Sequence, residues 1–405
     1  MTHQRNRVAF VDDEANILTS LRRTMLSMLD EWEMAFFARA TDLLARSETE
    51  PFDVVVSDMR MPGMDGAALL DEIRRLYPDT IRVILSGYAD NESIFRTVGP
   101  AHAYLAKPCD PELLRRAIQS RVALRRLMEG KELRQLLGGL SSLPSAPQLF
   151  SDLLKELRSP GVSVAAIAAL IGRDMAMTAE LLKLTNSSYF TLNAAVTSPL
   201  QAVRILGLDI IQTLVLQIGI FRQFQGGDEM TRQVEALSAY SHALGNLAEK
   251  AALQAGESDE VAKMARCAGT LSEIGSLVLL SKRNTEYHAA CAAVGPDRSR
   301  LEAESQILGA DHAQVGGYLL GLWGFADPVV EAVSFASRPS PDIEGANPVL
   351  AALHIAQTVG PPFPLFDPDL AAGSLNENYL ARLDRENPRR RWRSAAIEMT
   401  KECSV

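Results

Sequence analysis

The stretch Pro51 to Gly66, PFDVVVSDMRMPGMDG, joins a short apolar run to an aspartate and a turn. Its valines, Val54 to Val56, are β-branched and do not alternate with polar residues, which is typical of a strand buried on both faces of a parallel sheet. Asp58 is then at the carboxyl end of that strand, the edge where open α/β sheets bind ligands. Because MPGMDG is rich in turn-forming residues, the stretch predicts a carboxylate beside a loop at the sheet edge.

Further apolar runs have the length of buried strands: Val8–Val11, Arg82–Leu85 and His102–Ala106. Helical patterns separate the runs, and this alternation predicts a parallel doubly wound sheet. The residues that follow the runs are two acids, a hydroxyl and a lysine: Asp12, Asp13, Ser86 and Lys107. All four are expected at the same edge of the sheet as Asp58.

Side chains of these types at one sheet edge predict a phosphorylation site. Asp12, Asp13 and Asp58 supply the oxygen ligands that Mg²⁺ prefers. Lys107 and the Ser86 hydroxyl would contact the phosphoryl oxygens, since positioning and charge neutralisation account for most of phosphoryl-transfer catalysis. The alternative is that the acids are helix caps or surface acids and that Lys107 merely neutralises them.

The same residues resemble the receiver domain of bacterial two-component response regulators over about residues 5–125. The matching segments are VDDE at Val11–Glu14, SDMRMPGMDG at Ser57–Gly66, LSGYAD at Leu85–Asp90 and YLAKP at Tyr104–Pro108. The resemblance implies that Asp58 is the phosphoacceptor, that Asp12 and Asp13 hold Mg²⁺, and that Arg60 is a metal ligand through its backbone carbonyl. It also implies that Ser86 is the switch hydroxyl and Tyr104 the switch aromatic residue. Serine at position 86 replaces the commoner threonine.

Length and composition favour a soluble protein of two domains. The chain has 405 residues, 47% of them hydrophobic and 22% charged, and it is too long for one ordinary core. A net charge of -9 argues against nucleic acid or an anionic membrane as the main partner. The most apolar stretch, Val203–Phe221, contains Arg204 and Asp209 and is interpreted as a buried helix. Four scattered cysteines and a broken N-terminal apolar run predict a reducing cytoplasm.

The connector from Asp110 to Leu140 has a helical pattern, with Pro111 in the favoured first turn. Its apolar residues approach heptad spacing over a length too short to establish a coiled coil. Two interpretations stay open, a solvated helical linker and a dimer contact that responds to phosphorylation. Gly138-Gly139 and Ser141–Pro147 mark a domain boundary.

Beyond Pro147 the helical patterns follow one another without strand-like alternation, which predicts an all-α domain. Here the sequence resembles the HDOD domain, a branch related to the HD-domain phosphohydrolases, over about residues 140–360. The segments that match are LPSAPQLFSDLLKEL at Leu143–Leu157, LLKLTNSSYFTLNAAVTSPLQAVRILGLDIIQTLVL at Leu181–Leu216 and ADHAQVGGYLLGLWGFADPVVEAV at Ala310–Val333.

That resemblance also implies a degenerate metal site. Catalytic relatives bind metal with a His, a His-Asp pair and a later Asp. His242 corresponds to the first His, but Ser272 and Glu273 replace the pair and Gln357 replaces the last Asp. Serine and a carboxamide are poor ligands, so no metal is expected in this domain.

Three other features have both a structural and a functional interpretation. His312 and His354 could be ligands or bases, but histidines hydrogen-bonded between packed helices are the preferred interpretation. The basic cluster Arg389–Arg393 could bind phosphate or an acidic partner; a solvated or salt-bridging role within the domain is preferred on an acidic protein.

The predicted architecture is therefore an α/β doubly wound, flavodoxin-like receiver domain followed by an all-α HD-like domain. The expected divisions are a receiver domain at residues 1–123, a helical linker at 124–140, an HDOD domain at 141–360 and a C-terminal extension at 361–405 packed on it.

We expect a response regulator in which phosphorylation at Asp58 controls a non-catalytic HDOD domain that binds another signalling protein. Its partners would be a histidine kinase or phosphotransfer protein, the downstream protein and, conditionally, a second copy in a homodimer. The alternatives are a receiver-controlled degenerate HD phosphohydrolase and an effector that binds a nucleotide or cyclic dinucleotide. Direct DNA binding is least favoured, because no helix-turn-helix with a basic recognition face follows the connector.

Overall fold

The computed structural model describes residues 5–87, 100–128, 130–140, 142–186, 195–339, 347–365, 374–386 and 391–403. Two compact units make up the chain, and the main division between them falls between Ser142 and Leu143. The predicted residues Tyr88–Asp90, Ser187–Phe190 and Arg389–Arg390 lie outside the described ranges.

A sheet of parallel strands forms the centre of the first unit. Its strands are β1 (Asn6–Val11), β2 (Trp32–Phe37), β3 (Val54–Asp58), β4 (Ile81–Ser86) and β5 (Ala103–Ala106). Their order across the sheet is β2-β1-β3-β4-β5. Every residue of β3 is buried, and Val55 lies beside Ala9 of β1 and Arg82 of β4. The valine run is therefore a central strand covered on both faces, and the predicted doubly wound class is confirmed.

Helices flank this sheet: α1 (Ala15–Thr24), α2 (Ala40–Thr49), α3 (Gly66–Leu76), α4 (Pro111–Leu127) and α5 (Lys131–Gly138). The start of α3 is set by Asp65, whose side chain accepts a hydrogen bond from the backbone N–H of Ala68 at 2.9 Å. Glycine is required at position 66, because a Cβ there would lie 2.1 Å from the backbone oxygen of Asp58. The loop after β3 can therefore turn closely over the end of the strand.

The connector differs from a single solvated helix. It consists of α4 and the short helix α5, separated near Met128 and Gly130. The fully buried Arg82 of β4 donates a hydrogen bond to the backbone oxygen of Gly138 at 2.6 Å. Arg74 of α3 donates to the oxygen of Gly139 at 3.1 Å. The end of the connector is thus held against the first unit by two arginines.

Among its described residues, the second unit is helical apart from a two-residue parallel pair, β6 (Pro144–Ser145) with β7 (Arg222–Gln223), and an isolated bridge between Gly295 and Arg298. Its α-helices are α6 (Pro147–Leu157), α7 (Val164–Ile171), α8 (Met175–Thr185), α9 (Pro199–Leu206), α10 (Leu208–Gln212), α11 (Asp228–Gln254), α12 (Asp259–Leu271), α13 (Ile274–Lys282), α14 (Asn284–Ala292), α15 (Arg300–Leu308), α16 (His312–Leu322), α17 (Asp327–Phe335), α18 (Pro348–Val359), α19 (Glu377–Glu386) and α20 (Trp392–Cys403). A π-helical turn, Thr213–Ile218, follows α10. The predicted all-α class is confirmed for this unit.

The long helix α11 packs against α12 and α18, and together they form the core of the unit. Helix α18 is apolar and has eight buried residues, Val349–Ala356. The last helix, α20, packs against α11 and α18, and its first residue, Trp392, is fully buried. Within the described ranges no single helix has both the length and the hydropathy to cross a membrane. One pair of helical segments, Pro199–Leu206 and Leu208–Leu216, reaches that length and hydropathy only when the two are taken together, and the pair is bent by 103°.

Candidate functional site

Two buried carboxylates and one lysine meet at the carboxyl edge of the sheet. Asp12 directly follows β1 and is 1% exposed, while Asp58 ends β3 and is 7% exposed. Lys107, just after β5, places its Nζ 2.7 Å from Oδ2 of Asp12 and in an ion pair with Oδ1 of Asp58. Because β1 and β3 are neighbours in the sheet and their connections diverge to opposite sides, this is the topological switch point where such folds bind ligands.

Burial and pairing act in opposite directions on these groups. Burial raises the pKa of Asp58 above its ordinary value, although Lys107 and the N–H of Arg60 oppose the effect. Burial alone would lower the pKa of Lys107, but the hydrogen bonds to Asp12 and Asp58 outweigh it and raise that pKa. The lysine is therefore firmly protonated, and Asp58 is a carboxylate whose negative charge is incompletely compensated.

Other predicted residues have distinct surroundings. The backbone N–H of Arg60 donates to Oδ2 of Asp58 at 2.7 Å, which holds the loop to the carboxylate. Ser86, at the end of β4, is 7% exposed and its hydroxyl donates to the oxygen of Gly87 at 3.4 Å. Tyr104 of β5 is 4% exposed and belongs to the hydrophobic core beside α3. Asp13 is exposed to solvent.

The donor set at this edge consists of hard oxygen atoms, the kind that Mg²⁺ prefers. Within the ranges that the structure describes, no three His, Cys, Asp or Glu side chains are grouped as ligands of a metal ion. Here the ammonium of Lys107 lies between Asp12 and Asp58. One cation shared by two buried carboxylates leaves a net negative charge, which an additional cation would neutralise.

The four positions predicted to form a degenerate HD site make separate polar contacts in the second unit. His242 of α11 bonds through Nδ1 to the backbone oxygen of Gly172 at 3.0 Å. Three other bonds use different partners: Ser272 donates to the oxygen of Gly269 at 2.8 Å, Glu273 pairs with Arg300 at 2.8 Å, and Gln357 accepts from Ser337 at 3.2 Å. All of these partners are protein groups.

Glu273 belongs to a buried charge cluster that sequence reasoning missed. Its carboxylate accepts two hydrogen bonds from Arg300, at 2.8 and 3.2 Å, and one from Ser276 at 2.5 Å. Nε of Arg300 donates to Glu304 at 2.9 Å, and Nδ1 of His312 lies 2.6 Å from the same carboxyl group. We name Glu273, Arg300, Glu304 and His312 the buried charge cluster. The i,i+4 spacing of Arg300 and Glu304 was a local signal for one of its pairs.

Each charge of the cluster stabilises its neighbours. Burial alone would raise the pKa of Glu304, but His312 and Arg300 hold it at about 2. Burial and Arg300 would lower the pKa of His312, but Glu304 and Glu273 outweigh them and raise it. His312 is therefore a hydrogen-bonded histidine between packed helices, as is His354, whose Nδ1 bonds to the oxygen of Ala336 at 2.8 Å.

Comparison with protein-family models gives two matches. Residues 8–119 match the response regulator receiver domain, and residues 143–339 match the HDOD domain. The first range contains the pair of buried carboxylates, and the second contains the buried charge cluster.

Individual relatives match parts of the chain. It is 34% identical over 116 residues to the hydrogenase transcriptional regulatory protein HoxA of Cupriavidus necator, covering 28% of this chain and 23% of that protein. It is 25% identical over 219 residues to an uncharacterized protein of Treponema pallidum, covering 54% and 42% respectively. The chain thus spans less than half the length of these curated relatives.

Among solved structures, the MmoQ response regulator of Methylococcus capsulatus matches with a TM-score of 0.45 and 24% identity, covering 60% of this chain and 97% of that one. The order of the two family matches supports a response regulator of a two-component system. We therefore identify residues 8–119 as a response regulator receiver domain and residues 143–339 as an HDOD domain.

Proposed function

We propose that Asp58 is the phosphoacceptor of this response regulator, and that its phosphorylation controls a non-catalytic HDOD domain that binds other signalling proteins. The observation that carries the proposal is the carboxylate of Asp58 at the end of β3, held by the N–H of Arg60 and paired with Lys107. A nucleophile at a sheet edge needs a fixed position and a nearby cation for the incoming phosphoryl group.

In the proposed reaction, a carboxylate oxygen of Asp58 attacks the phosphorus of a phosphohistidine on a partner kinase or phosphotransfer protein. The new P–O bond forms as the P–N bond breaks, and the leaving imidazole nitrogen takes a proton from solvent. Lys107, already paired with Asp58, neutralises the phosphoryl oxygens, and the Ser86 hydroxyl donates to one of them. Tyr104, on β5 in the core beside α3, takes the role of the switch aromatic residue.

Mg²⁺ fits this donor set, with the carboxylates of Asp12, Asp13 and Asp58 and the backbone carbonyl of Arg60 as its proposed ligands. The ion would supply positive charge that lets a dianionic phosphoryl donor approach a buried carboxylate. The net negative charge that Asp12 and Asp58 retain after pairing with Lys107 supports this assignment.

A non-catalytic role for the HDOD domain is supported by the state of Glu273. This residue is 1% exposed and its charge is compensated by Arg300. A metal at Glu273 would first have to break the bidentate ion pair with Arg300, which would lose this buried carboxylate and keep its pair with Glu304. Breaking a buried ion pair is costly. We therefore propose that this domain acts by binding other signalling proteins.

The functional division that we propose is a receiver domain at 1–123, a linker at 124–140, an HDOD domain at 141–360 and an extension at 361–405. Burial of Trp392 and the packing of α20 on α11 and α18 support an extension that completes the helical unit. The cytoplasm is the proposed location, since a histidine kinase phosphorylates its regulators there.

Phosphorylation is tested by incubating the full chain with acetyl phosphate and Mg²⁺ and measuring intact mass. We expect a gain of one phosphoryl group that is lost in Asp58→Asn and on chelation of Mg²⁺ by EDTA. Asp71→Asn, which changes an exposed carboxylate of α3, is the matched control and should be labelled like the wild type. Full labelling of Asp58→Asn would exclude Asp58 as the acceptor.

The output is tested by quantitative pull-down from lysate of the source cell with Mg²⁺ and beryllofluoride, which mimics an aspartyl phosphate. A protein enriched or lost with the wild type but not with Asp58→Ala would support phosphorylation-controlled binding. Identical sets of captured proteins under both conditions would contradict it.

A further inference from the structure

A cleft of about 470 Å³ lies within the helical unit and plays no part in the proposed phosphorylation. Its apolar wall includes Ala168 of α7 and Pro199 and Leu200 of α9. Its volume is within the range of about 300–1,000 Å³ that small-molecule sites occupy, and such sites combine an apolar lining with a few polar groups. The size and lining therefore suit a small organic molecule rather than a lone ion.

Positive charge surrounds this cleft. Among the described residues of its lining, Arg173, Lys263 and Arg266 are cationic and Glu249 is the one carboxylate. Arg266 is paired with Glu249 at 2.8 Å. Arg173 and Lys263 are exposed and make no ion pair with the described residues, so the lining carries a net charge of about two positive units. On a chain with a net charge of -9, this local excess favours an anionic ligand.

His242 adds a polar group to the cleft wall. Its Nδ1 bonds to the backbone oxygen of Gly172 at 3.0 Å, and since a carbonyl can only accept, Nδ1 must carry the proton. In the neutral ring Nε2 is then a hydrogen-bond acceptor, suited to a hydroxyl or amino group. Glu273, which Arg300 neutralises, is not among the described residues of the lining.

We propose that this cleft binds a small phosphate ester of nucleotide size, with its phosphate at Arg173 and Lys263 and its apolar body against Ala168, Pro199 and Leu200. His242 would receive a hydrogen bond from a hydroxyl or amino group of the ligand. The inference is independent of phosphorylation at Asp58 and of partner binding by the HDOD domain.

The test uses isothermal titration calorimetry of the full chain with ADP, adenosine and inorganic phosphate, in EDTA at low ionic strength. We expect saturable binding of ADP, with adenosine and inorganic phosphate each bound at least about tenfold more weakly, because each lacks one part of the recognition. The double variant Arg173→Ala/Lys263→Ala should weaken ADP binding by at least about a hundredfold, since each of the two charged hydrogen bonds that it removes contributes about a factor of ten or more.

The matched control is Lys282→Ala/Lys401→Ala, which removes two exposed lysines of α13 and α20 outside the cleft. It makes the same change in net charge and should bind ADP like the wild type. The proposal would be overturned by the absence of saturable ADP binding in the millimolar range, by unchanged binding in the cleft variant, or by equal weakening in the control. Binding of phosphate as tight as that of ADP would also overturn it, because the apolar wall would then contribute nothing.

Discussion

Lys107 determines the electrostatic state of the receiver site. It is the cation shared by Asp12 and Asp58, and its own side chain is 20% exposed. Opposite charges stabilise one another in such a partly buried site more than they would in water. Removing the cation would leave two carboxylates facing each other at the edge of the sheet, a like-charge pair that resists ionisation.

We predict that Lys107→Met lowers the free energy of unfolding of the first unit at pH 7 by about 1–3 kcal/mol, because buried charges lose their partner. The direction in which this loss changes with pH follows from the raised pKa of Asp58. When folding raises the pKa of an acid, its ionised form destabilises the folded state at pH values above that raised pKa. At pH values below its ordinary pKa the acid is protonated in both states, and this cost is absent. The loss should therefore shrink as the pH falls through the raised pKa.

Hydrogen exchange with mass spectrometry at pH 7 and pH 4 measures this stability loss through the protection factors of the β1 and β3 amides. Lys131→Met, at an exposed lysine of α5, is the control for loss of one positive charge. A loss of protection that is equal at both pH values would contradict the electrostatic explanation.

His312 of the buried charge cluster gives the helical unit a stability that depends on pH. Its pKa is raised by Glu304 and Glu273 against burial, and the pKa of Glu304 is held at about 2. The contribution of His312 to the free energy of unfolding is complete at pH values below the ordinary histidine pKa. It is lost as the pH rises through the raised pKa of His312. The contribution of Glu304 is complete above the ordinary glutamate value of 4.5 and is lost as pH falls toward 2.

We therefore predict that the helical unit is most stable between about pH 4.5 and 6.5, the ordinary values of these two groups. His312→Gln should destabilise the unit by about 3–5 kcal/mol near pH 5.5, the cost of breaking a buried pair. The loss should be smaller at pH 9 than at pH 5.5, because the contribution of protonated His312 decreases as the pH rises toward and through its raised pKa.

Urea unfolding followed by far-ultraviolet circular dichroism, which the helical unit dominates, measures this difference. His288→Gln, at a half-buried histidine of α14 outside the cluster, is the matched control and should leave the pH profile unchanged. If His312→Gln lost the same stability at both pH values, its effect would come from packing and not from charge.

Helix α5 is held in place by tertiary contacts with other parts of the first unit. Arg82 and Arg74 donate to the backbone oxygens of Gly138 and Gly139, and Arg134 of α5 pairs with Asp79 at 3.3 Å. The close approach depends on Gly138, because a Cβ there would lie 2.0 Å from the backbone oxygen of Pro78. A short helix of eight residues is not stable alone, so these tertiary contacts maintain it.

We predict that Gly138→Ala displaces the end of α5 from the loop at Pro78 and increases amide exchange in residues 131–138 by at least about tenfold, equivalent to about 1.4 kcal/mol of lost protection. Gly130→Ala is the matched control, since the nearest atom to a Cβ at position 130 lies 3.6 Å away. Gly130→Ala should increase amide exchange in residues 131–138 by less than Gly138→Ala does, because a substitution at a helix N-cap lowers helix stability by only about 1 kcal/mol. Equal exchange in both variants would show that the helix does not depend on the glycine contact.

In the proposed function, the first unit carries a phosphoryl group at Asp58, and the helical unit holds Glu273 of the predicted degenerate site in an ion pair with Arg300. A phosphorylation signal can change the output only if the phosphorylated and unphosphorylated forms differ in the stability of two arrangements. The two units must therefore be coupled energetically if the proposed function holds.

We predict that beryllofluoride with Mg²⁺ changes amide exchange both around β3 and in helices of the second unit. Asp58→Asn should abolish both changes, and Asp71→Asn should preserve them. Hydrogen exchange with mass spectrometry on the full chain makes the comparison in one experiment. Changes confined to residues before Ser142 would contradict coupling between the units.

Local patterns in the sequence were sufficient to predict the fold class of both units. The valine run before Asp58 predicted a central strand, and apolar periodicity after Pro147 predicted helices, because strand and helix periods are properties of neighbouring residues. Both family assignments, receiver and HDOD, were also correct. The roles of Asp58, Lys107, Ser86 and Tyr104 remain predictions that the phosphorylation experiment tests.

Long-range pairing was decided by the tertiary structure alone. Lys107 reaches Asp12 across 95 positions of sequence, Arg82 reaches Gly138 across 56, and Arg300 reaches Glu273 across 27. No periodicity relates residues at such separations, since their contact depends on how whole elements pack. The sequence could therefore indicate which side chains were suited to chemistry, whereas only the packing of strands and helices determined that Lys107 compensates two acids and that Arg300 closes the position of Glu273.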